Sequence, residues 1–547
     1  MHGWLNNYLS GVRRVGFLGL GASCRSLLSM LGKDVLVTLR TDGVLDPSLI
    51  HEGCPVERIF ESERALCDID EQVLFLSPSV RRDRPELVSA VKKGTRLCSD
   101  HELFFEAVRA PVIAISGSSG KSTTAYLTAA LINGGENKNG TVAPEGEIAS
   151  GDDNIGKDPR CYKIASADDN IGKDPRCYKI ASANDNIGKD PRCYKIASGE
   201  GKIEEAYHNR QVSTRKSESY AVLCGNIGKP MLESVTGSAG LYVAEMSSFM
   251  LMSHKAEVHR SAITNITENH LDWHRTFEEY KRAKLSLLSL SKEIVINADD
   301  PALSRFVGKN RRIFGVFSTR LPLFELLKHH KAKHYMTLES GFICHNGEKI
   351  IDTVPLVRNE EHNIANMMCA LLLSEGYSKR SKIGEVLSAF CGLPHRCETV
   401  ATEFGVSFIN SSIDTTPERT RATLLPFKGS VVLLLGGHGK GLSYEPVISA
   451  AKGRVRLALC FGEDGEKIAD ALSGHINARY CGGFSEAVLE ACALSKQGDT
   501  VLLSPACTSY DEFSSFEERG EKFKQIVLSY IGERKDKALD RQHEKED

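Results

Sequence analysis

Pro111-Val112-Ile113-Ala114-Ile115-Ser116-Gly117-Ser118-Ser119-Gly120-Lys121-Ser122-Thr123-Thr124 runs an apolar strand into a Gly/Ser loop and then opens a helix on Gly-Lys-Ser. Small residues leave backbone N–H groups free to wrap an anion, and the helix N-terminus turns its partial positive charge toward it. Lys121 would neutralise a polyphosphate and Ser122 would hold Mg²⁺. Gly117, Ser118, Ser119, Gly120, Lys121, Ser122 and Thr123 are therefore the candidate nucleotide-phosphate-binding run. The spacing departs from G-x-x-x-x-G-K-[ST], because Ile115 stands where the first glycine would be. Taken alone, the segment also fits a plain strand–turn–helix junction. Either reading makes this a parallel α/β sheet, with the loop at the carboxyl end of a strand.

Working outward, apolar runs at Val15–Leu20, Val35–Leu39 and Val73–Ser77 alternate with helical stretches, which predicts a small Rossmann-like unit ahead of the loop. Gly19-x-Gly21-x-x-Cys24 lacks the third glycine of a dinucleotide fingerprint, and the second strand ends in Thr38 and Arg40 instead of an acid. Arg40 suits a phosphate or uridine ligand better than a ribose diol. After the loop, strands are expected at Leu241–Ala244, Ser261–Thr264 and Ile294–Asn297, with a helix over Phe277–Ser289. Near Leu393 a third α/β segment begins, with strands at Val431–Leu435, Leu457–Phe461 and Thr500–Ser504. The expected organisation is three α/β domains. A Rossmann-like first domain is expected over 1–108, a central domain carrying the phosphate loop over 109–391, a Rossmann-like third domain over 392–533, and a charged, frayed tail over 534–547.

Two features interrupt that alternation. Residues 135–219 form a polar, Gly-rich insert in which Asp152-Asp-Asn-Ile-Gly-Lys-Asp-Pro-Arg-Cys-Tyr-Lys-Ile-Ala-Ser-Ala167 recurs at Asp168–Ala183 and, nearly complete, from Asn184 to Ser198. Such a unit has few large apolar groups to bury, so a loosely ordered loop is expected there. Arg13-Arg14 before an apolar run resembles a short targeting signal, but the run is brief and continues into strand–helix alternation. The chain has 547 residues and a net charge of -2, which argues against nucleic acid as the main partner. Its 16 cysteines are scattered without Cys-x-x-Cys pairs, as in a protein of a reducing, cytoplasmic setting. No stretch reaches the ~18 apolar residues of a membrane span, and a monomer is the expectation.

Downstream of the loop stand Glu245, at a strand end, then His270 and Asp272 in Asn265-Ile-Thr-Glu-Asn-His-Leu-Asp272, and Lys284 in Tyr280-Lys-Arg-Ala-Lys284. Singly, each reads as an ordinary cap, loop histidine or exposed helix charge. Together with Gly225-Asn-Ile-Gly228, Glu245-Met-Ser-Ser-Phe249, Asn297-Ala-Asp-Asp300, His362-Asn-Ile-Ala-Asn366, Gly392-Leu-Pro-His-Arg396, Leu435-Gly-Gly-His-Gly-Lys440 and Ser504–Phe513, they resemble the Mur ligase family of peptidoglycan precursor enzymes. The blocks run in order through nearly the whole chain outside the insert and tail.

That resemblance implies an ATP-dependent amide-forming ligase that adds D-glutamate to UDP-N-acetylmuramoyl-L-alanine through an acyl phosphate. It implies ATP contacts at Asn363, Asn366 and Arg396 besides the loop, and catalytic roles for Lys121, His270 and Lys284. Two Mg²⁺ sites would use Ser122, Glu245, His270 and Lys284, the last carbamoylated by CO2. The UDP substrate would meet Gly19, Leu20, Gly21, Ala22, Ser23, Arg40, Ser77 and Asn226; D-glutamate would meet Thr415, Lys440, Ser509, Tyr510 and Phe516. The Asp-Asn-Pro-Arg signature of diaminopimelate-adding relatives is missing. Asn410-Ser411-Ser412-Ile413-Asp414-Thr415 departs from the family's Asn-Asp-Ser-Lys-Ala-Thr, with Ser411 at the acidic position and Ile413 at the basic one. A folate-polyglutamate-type ligase and a non-catalytic homologue remain as alternatives. The uridine-nucleotide segment and the Ser504–Phe513 block argue against the first, and intact Lys121, Glu245, His270, Lys284, Arg396 and Lys440 argue against the second.

Overall fold

A computed structural model describes residues 2–32, 35–41, 56–135, 220–227, 230–237, 239–271, 273–306 and 312–546. The repeats and nearly all of the expected insert lie outside the described residues, as does Asp272. Three sheets follow one another along the chain. The first comprises β1 (Arg14–Leu18), β2 (Leu36–Thr41), β3 (Val56–Glu61), β4 (Val73–Leu76) and β5 (Arg96–Cys98), all parallel in the order β3-β2-β1-β4-β5. Strand order reverses beside β1, so the turns after β1 and β4 open a crevice where Gly19 and Ser77 meet.

The second sheet holds β6 (Val112–Ser116), β7 (Ala221–Gly225), β8 (Leu241–Glu245), β9 (Val258–Ile263), β10 (Ser291–Asn297), β11 (Ile313–Ser318), β12 (His334–Glu339), β13 (Phe342–His345) and β14 (Glu348–Asp352). Its order is β14-β13-β12-β11-β10-β9-β6-β8-β7, parallel except for the antiparallel pairings of β13 with β12 and β14. Every residue of β6 is buried, as expected of a parallel strand covered on both faces. Helices Lys121–Ile132 and Glu361–Ser374 share one face, where Leu127, Leu131, Met367 and Leu371 enter a common core. The packing is close: a Cβ on Gly315 of β11 would lie 2.8 Å from a Leu372 methyl carbon.

The third sheet, β15 (Glu398–Glu403), β16 (Val406–Asn410), β17 (Val431–Gly436), β18 (Val455–Phe461), β19 (Ala478–Tyr480) and β20 (Thr500–Ala506), runs β15-β16-β20-β17-β18-β19. Only β15 is antiparallel to its neighbour. The expected strands all occur, with ends that coincide or differ by at most three residues, and the helix at Phe277–Ser289 matches at both ends. The tail differs from expectation: helix Phe516–Glu546 continues through it instead of fraying after Glu533. No glycine or proline interrupts it beyond Gly532, its residues are good helix formers, and Lys535 Nζ pairs with Glu403 Oε1 of β15 at 2.8 Å. Among the described residues no helix is long and apolar enough to cross a membrane.

Candidate functional site

The loop after β6 has the shape its glycines require. Gly117 and Gly120 adopt φ of 150° and 76°, and a Cβ on them would come within 1.8 Å of Thr264 Oγ1 and 2.3 Å of Asn366 Oδ1. Side chains would therefore break the loop's seat. Ser118 N donates to the Asn265 carbonyl at 2.9 Å, Ser119 N to Asn265 Oδ1 at 3.0 Å, and the Thr264 hydroxyl to the Ser119 carbonyl. Ser118 Oγ lies 2.8 Å from the Tyr280 hydroxyl. Expected loop residues and the Asn265 block thus form one hydrogen-bonded cradle at the mouth of helix Lys121–Ile132, whose first-turn N–H groups are of the kind that suits an anion.

Beside it two lysines and one carboxylate face each other. Lys284 is 1% exposed and donates to the Gly117 carbonyl at 2.8 Å. Burial, together with the nearby Lys121 cation, holds its amine well below the usual lysine range, and Glu245 only partly opposes this. Burial also lowers Lys121. Glu245, at the end of β8, is 1% exposed; Asn226 Nδ2 donates to its Oε1 at 3.2 Å, while its buried Oε2 has no hydrogen-bond partner. An orphaned carboxylate oxygen next to a phosphate-type cradle fits a hard divalent cation, whose remaining ligands would be oxygens. No group of three or more His, Cys, Asp or Glu gathers among the described residues, so any such ion needs the ligand's own oxygens as well. His270 is exposed on the segment after β9, with φ of 53°, and its ring lies 5.1 Å from that of Phe249.

In the first sheet Gly19, at φ 80°, brings its turn against Ser77: a Cβ there would sit 2.9 Å from the Ser77 Cβ. Leu20 and Ser23 are half-buried on the same turn, and Ala22 starts the helix Ala22–Ser29. Arg40 is a correction. It is fully buried, bonded to Glu71 Oε1 at 2.8 Å and to the carbonyls of Ala65, Cys67 and Asp68, so its guanidinium is spent on holding the sheet edge and cannot reach a ligand. A cavity of about 220 Å³ instead opens beside Ser77, lined by Arg81, Arg82, Phe249 and Trp273. Arg81 Nη1 donates to the Trp273 carbonyl at 2.8 Å and Nη2 to Glu279 at 2.9 Å, tying the first sheet to the segment after β9. Sequence reasoning missed these residues; the Arg81-Arg82 pair just past β4 and one of only two tryptophans were the available signals.

Arg396 reaches from the third sheet to the cradle, where Nη2 meets Ser122 Oγ at 3.3 Å. Asn366 is buried with its amide oxygen 3.3 Å from Thr124 Oγ1, so it braces the cradle, whereas Asn363 donates to Glu360 at 2.9 Å. Of the expected amino-acid group, Lys440 and Thr415 come together, Nζ to Oγ1 at 3.5 Å. Ser509 is buried, Tyr510 is 65% exposed, and Phe516 accepts from Ser412 Oγ through its carbonyl at 2.8 Å. Arg519, another residue that sequence reasoning passed over, is fully buried and bonds the carbonyls of Ser412, Cys507 and Thr508, locking the two loops of this group to each other.

The chain matches the Mur ligase middle domain over residues 226–374 and the Mur ligase glutamate ligase domain over residues 395–507. It is 29% identical to UDP-N-acetylmuramoylalanine--D-glutamate ligase of Ruminiclostridium cellulolyticum, across 94% of this chain and 96% of the relative. The enzyme of the same name from Hahella chejuensis is 28% identical across 94% and 98%. Among solved structures, UDP-N-acetylmuramate-alanine ligase of Thermotoga maritima aligns over 94% of this chain and 99% of its own, at 14% identity and a TM-score of 0.48.

Proposed function

This chain belongs to the Mur ligase family, and from that premise we infer that it joins D-glutamate to UDP-N-acetylmuramoyl-L-alanine at the expense of ATP in cytoplasmic peptidoglycan precursor synthesis. The observation that carries the reading is the convergence of the Gly117–Thr123 cradle, the orphaned Glu245 oxygen, a buried low-pKa Lys284 and Arg396 on one locus. D-glutamate, as the amino acid, rests on the relatives and on Lys440 beside Thr415.

The reaction follows from charge placement. Lys121 and the N–H groups at the start of helix Lys121–Ile132 would hold the ATP phosphates while the alanine carboxylate attacks the γ-phosphorus, breaking its bond to the bridging oxygen and leaving ADP. Glutamate's amine then attacks the acyl phosphate carbonyl, loses a proton, and expels phosphate as the amide forms. Mg²⁺ at two sites, held by Ser122, Glu245, His270 and a Lys284 carbamate, would spread the phosphate charge. Lys284 is suited to that role, since only a neutral amine adds to CO2, forming an N–C bond and releasing a proton, and its burial favours the neutral form. The uridine diphosphate is assigned to the cavity beside Ser77, whose Arg81 pairs with Asp83 and Glu279 and whose Arg82 pairs with Glu102, so binding there would require these arginines to share their donors with the phosphates. Ser77 and the Gly19 turn edge it, and Asn226, at the Glu245 end, would face the acceptor's alanine.

Phosphate release from ATP with UDP-N-acetylmuramoyl-L-alanine and Mg²⁺ tests this against a panel of D- and L-amino acids. Release that requires D-glutamate supports the reading; release that requires a different amino acid, or none, overturns the substrate assignment.

A further inference from the structure

Ile413 occupies a position where the family pattern carries a base, so the amino-acid group has one cation fewer than its chemistry asks for. The fold brings another cation to that spot from further along the chain. Thr416 and Pro417 start the helix Pro417–Leu424 immediately after the deficient segment, and the third residue of that helix is Arg419. Its side chain folds back over the turn, and Nη1 donates to the Ile413 carbonyl at 3.0 Å. Thr415, whose N–H donates to the same carbonyl at 2.9 Å, carries the hydroxyl that Lys440 approaches. Arg419 therefore shares the Ile413–Thr415 turn with the amino-acid lysine.

Two further observations point to an anion. Among the described residues Arg419 has no carboxylate within salt-bridge distance: neighbouring Glu418 pairs with Arg421, and the Asp414 carboxylate accepts from Thr423 and Ser504. Most of its N–H donors are left unspent. Its charge is also felt at Lys121, Arg396 and Lys440, each of which it pushes down. Lys121, Arg396, Arg419 and Lys440 thus crowd one region in which, among the described residues, no carboxylate is salt-bridged to any of them, and Glu245 acts on Lys121 and Arg396 only from beyond salt-bridge distance. Such crowding is costly until an anion arrives, and a dicarboxylic amino acid is the anion that has to dock beside Lys440.

We propose that Arg419 is a substrate-binding residue that takes one carboxylate of the incoming D-glutamate, supplying from the following helix the positive charge that Ile413 does not. The proposal rests on the D-glutamate ligase reading. Asp414 is no such replacement for the missing acid at Ser411, because its carboxylate is buried and held by hydroxyls on the β20 side.

The test is steady-state phosphate release with D-glutamate, ATP and acceptor each varied, for the wild-type chain, Arg419→Ala, Arg419→Lys and the double variant Ile413→Lys/Arg419→Ala. Wild-type turnover that requires D-glutamate is the control: without it the ligase reading itself fails. Given that control, the expected result is a rise of about tenfold to a hundredfold in the KM for D-glutamate in Arg419→Ala. The KM for ATP stays near wild type, Arg419→Lys loses less, and the double variant recovers. An unchanged D-glutamate KM in Arg419→Ala overturns the proposal. So does a defect confined to the ATP KM, or one that a lysine at 413 fails to relieve. Arg419 is exposed, so folding is expected to be unharmed, and the recovery arm separates a binding role from a structural one.

Discussion

Lys284 is a single side chain that burial and the Lys121 cation hold away from its usual charged state. A buried ammonium with no hydrogen-bonded carboxylate costs folding energy, and its folded pKa lies well below the roughly 10.4 of an unfolded lysine. Between those two values the unfolded chain binds the extra proton, so this group makes stability rise with pH and fall as pH drops through that window. In metal-free buffer Lys284→Met is expected to melt higher than wild type at neutral pH, by on the order of 1–4 kcal/mol. The gap should close toward about pH 10 as the lysine becomes neutral in both states, while ligase activity is lost. Thermal melts across pH check this, and a variant that melts lower at neutral pH contradicts it. The places of Lys121 and Glu245 were legible in the sequence because a strand end and a glycine loop announce themselves locally, whereas Lys284 read alone as an exposed helix charge and is buried. Arg40 was misjudged for the converse reason. Its position at the end of β2 was right, but Glu71 and three carbonyls that claim its guanidinium come from residues 65–71, and no local pattern reveals that pairing.

At the scale of elements, short side-chain links set how the sheets meet. Asp100 starts the helix Asp100–Ala107 and accepts the N–H groups of Met231 and Leu232 at 2.9 and 3.1 Å, joining the first sheet's last helix to the turn before β8. Burial pushes its carboxyl up to about 6. Against roughly 3.9 unfolded, the folded chain holds the extra proton between about pH 4 and 6, so this group's stabilising share is full below that window and declines as pH rises through it. Asp100→Ala strands two buried N–H groups and is expected to cost roughly 1–3 kcal/mol for each, and to remove that segment of the pH dependence. Chemical denaturation at pH 4, 5 and 7 reads both; a variant as stable as wild type at every pH contradicts the link. The strands and the helix Phe277–Ser289 were visible from periodicity alone. The β12–β14 meander and the helical tail were not, since half-exposed antiparallel strands and a mostly charged helix end lack the apolar runs that mark the parallel core.

Across the whole molecule, the proposed reaction draws on three places in the fold: Gly19 and Ser77 on the first sheet, the loop after β6 on the second, and Lys440, Thr415 and Arg419 on the third. Arg396 to Ser122 and Arg81 to Trp273 are the links through which the second of these touches the other two. Sequence order gave three runs of strand–helix alternation, and three sheets follow one another along the chain. The cavity walls and the Arg419 substitution needed the fold, because they join residues separated by a turn or by nearly two hundred positions. The division of labour makes a direct demand on atoms: the acceptor's alanine carboxylate must pass one oxygen to phosphate. The decisive measurement is mass spectrometry after reaction of ATP, Mg²⁺, D-glutamate and acceptor labelled with ¹⁸O in both carboxylate oxygens. One ¹⁸O is predicted in the released phosphate and one in the new amide carbonyl. Phosphate without label, or label in phosphate with no D-glutamate in the product, would contradict the acyl-phosphate ligase at the centre of this reading.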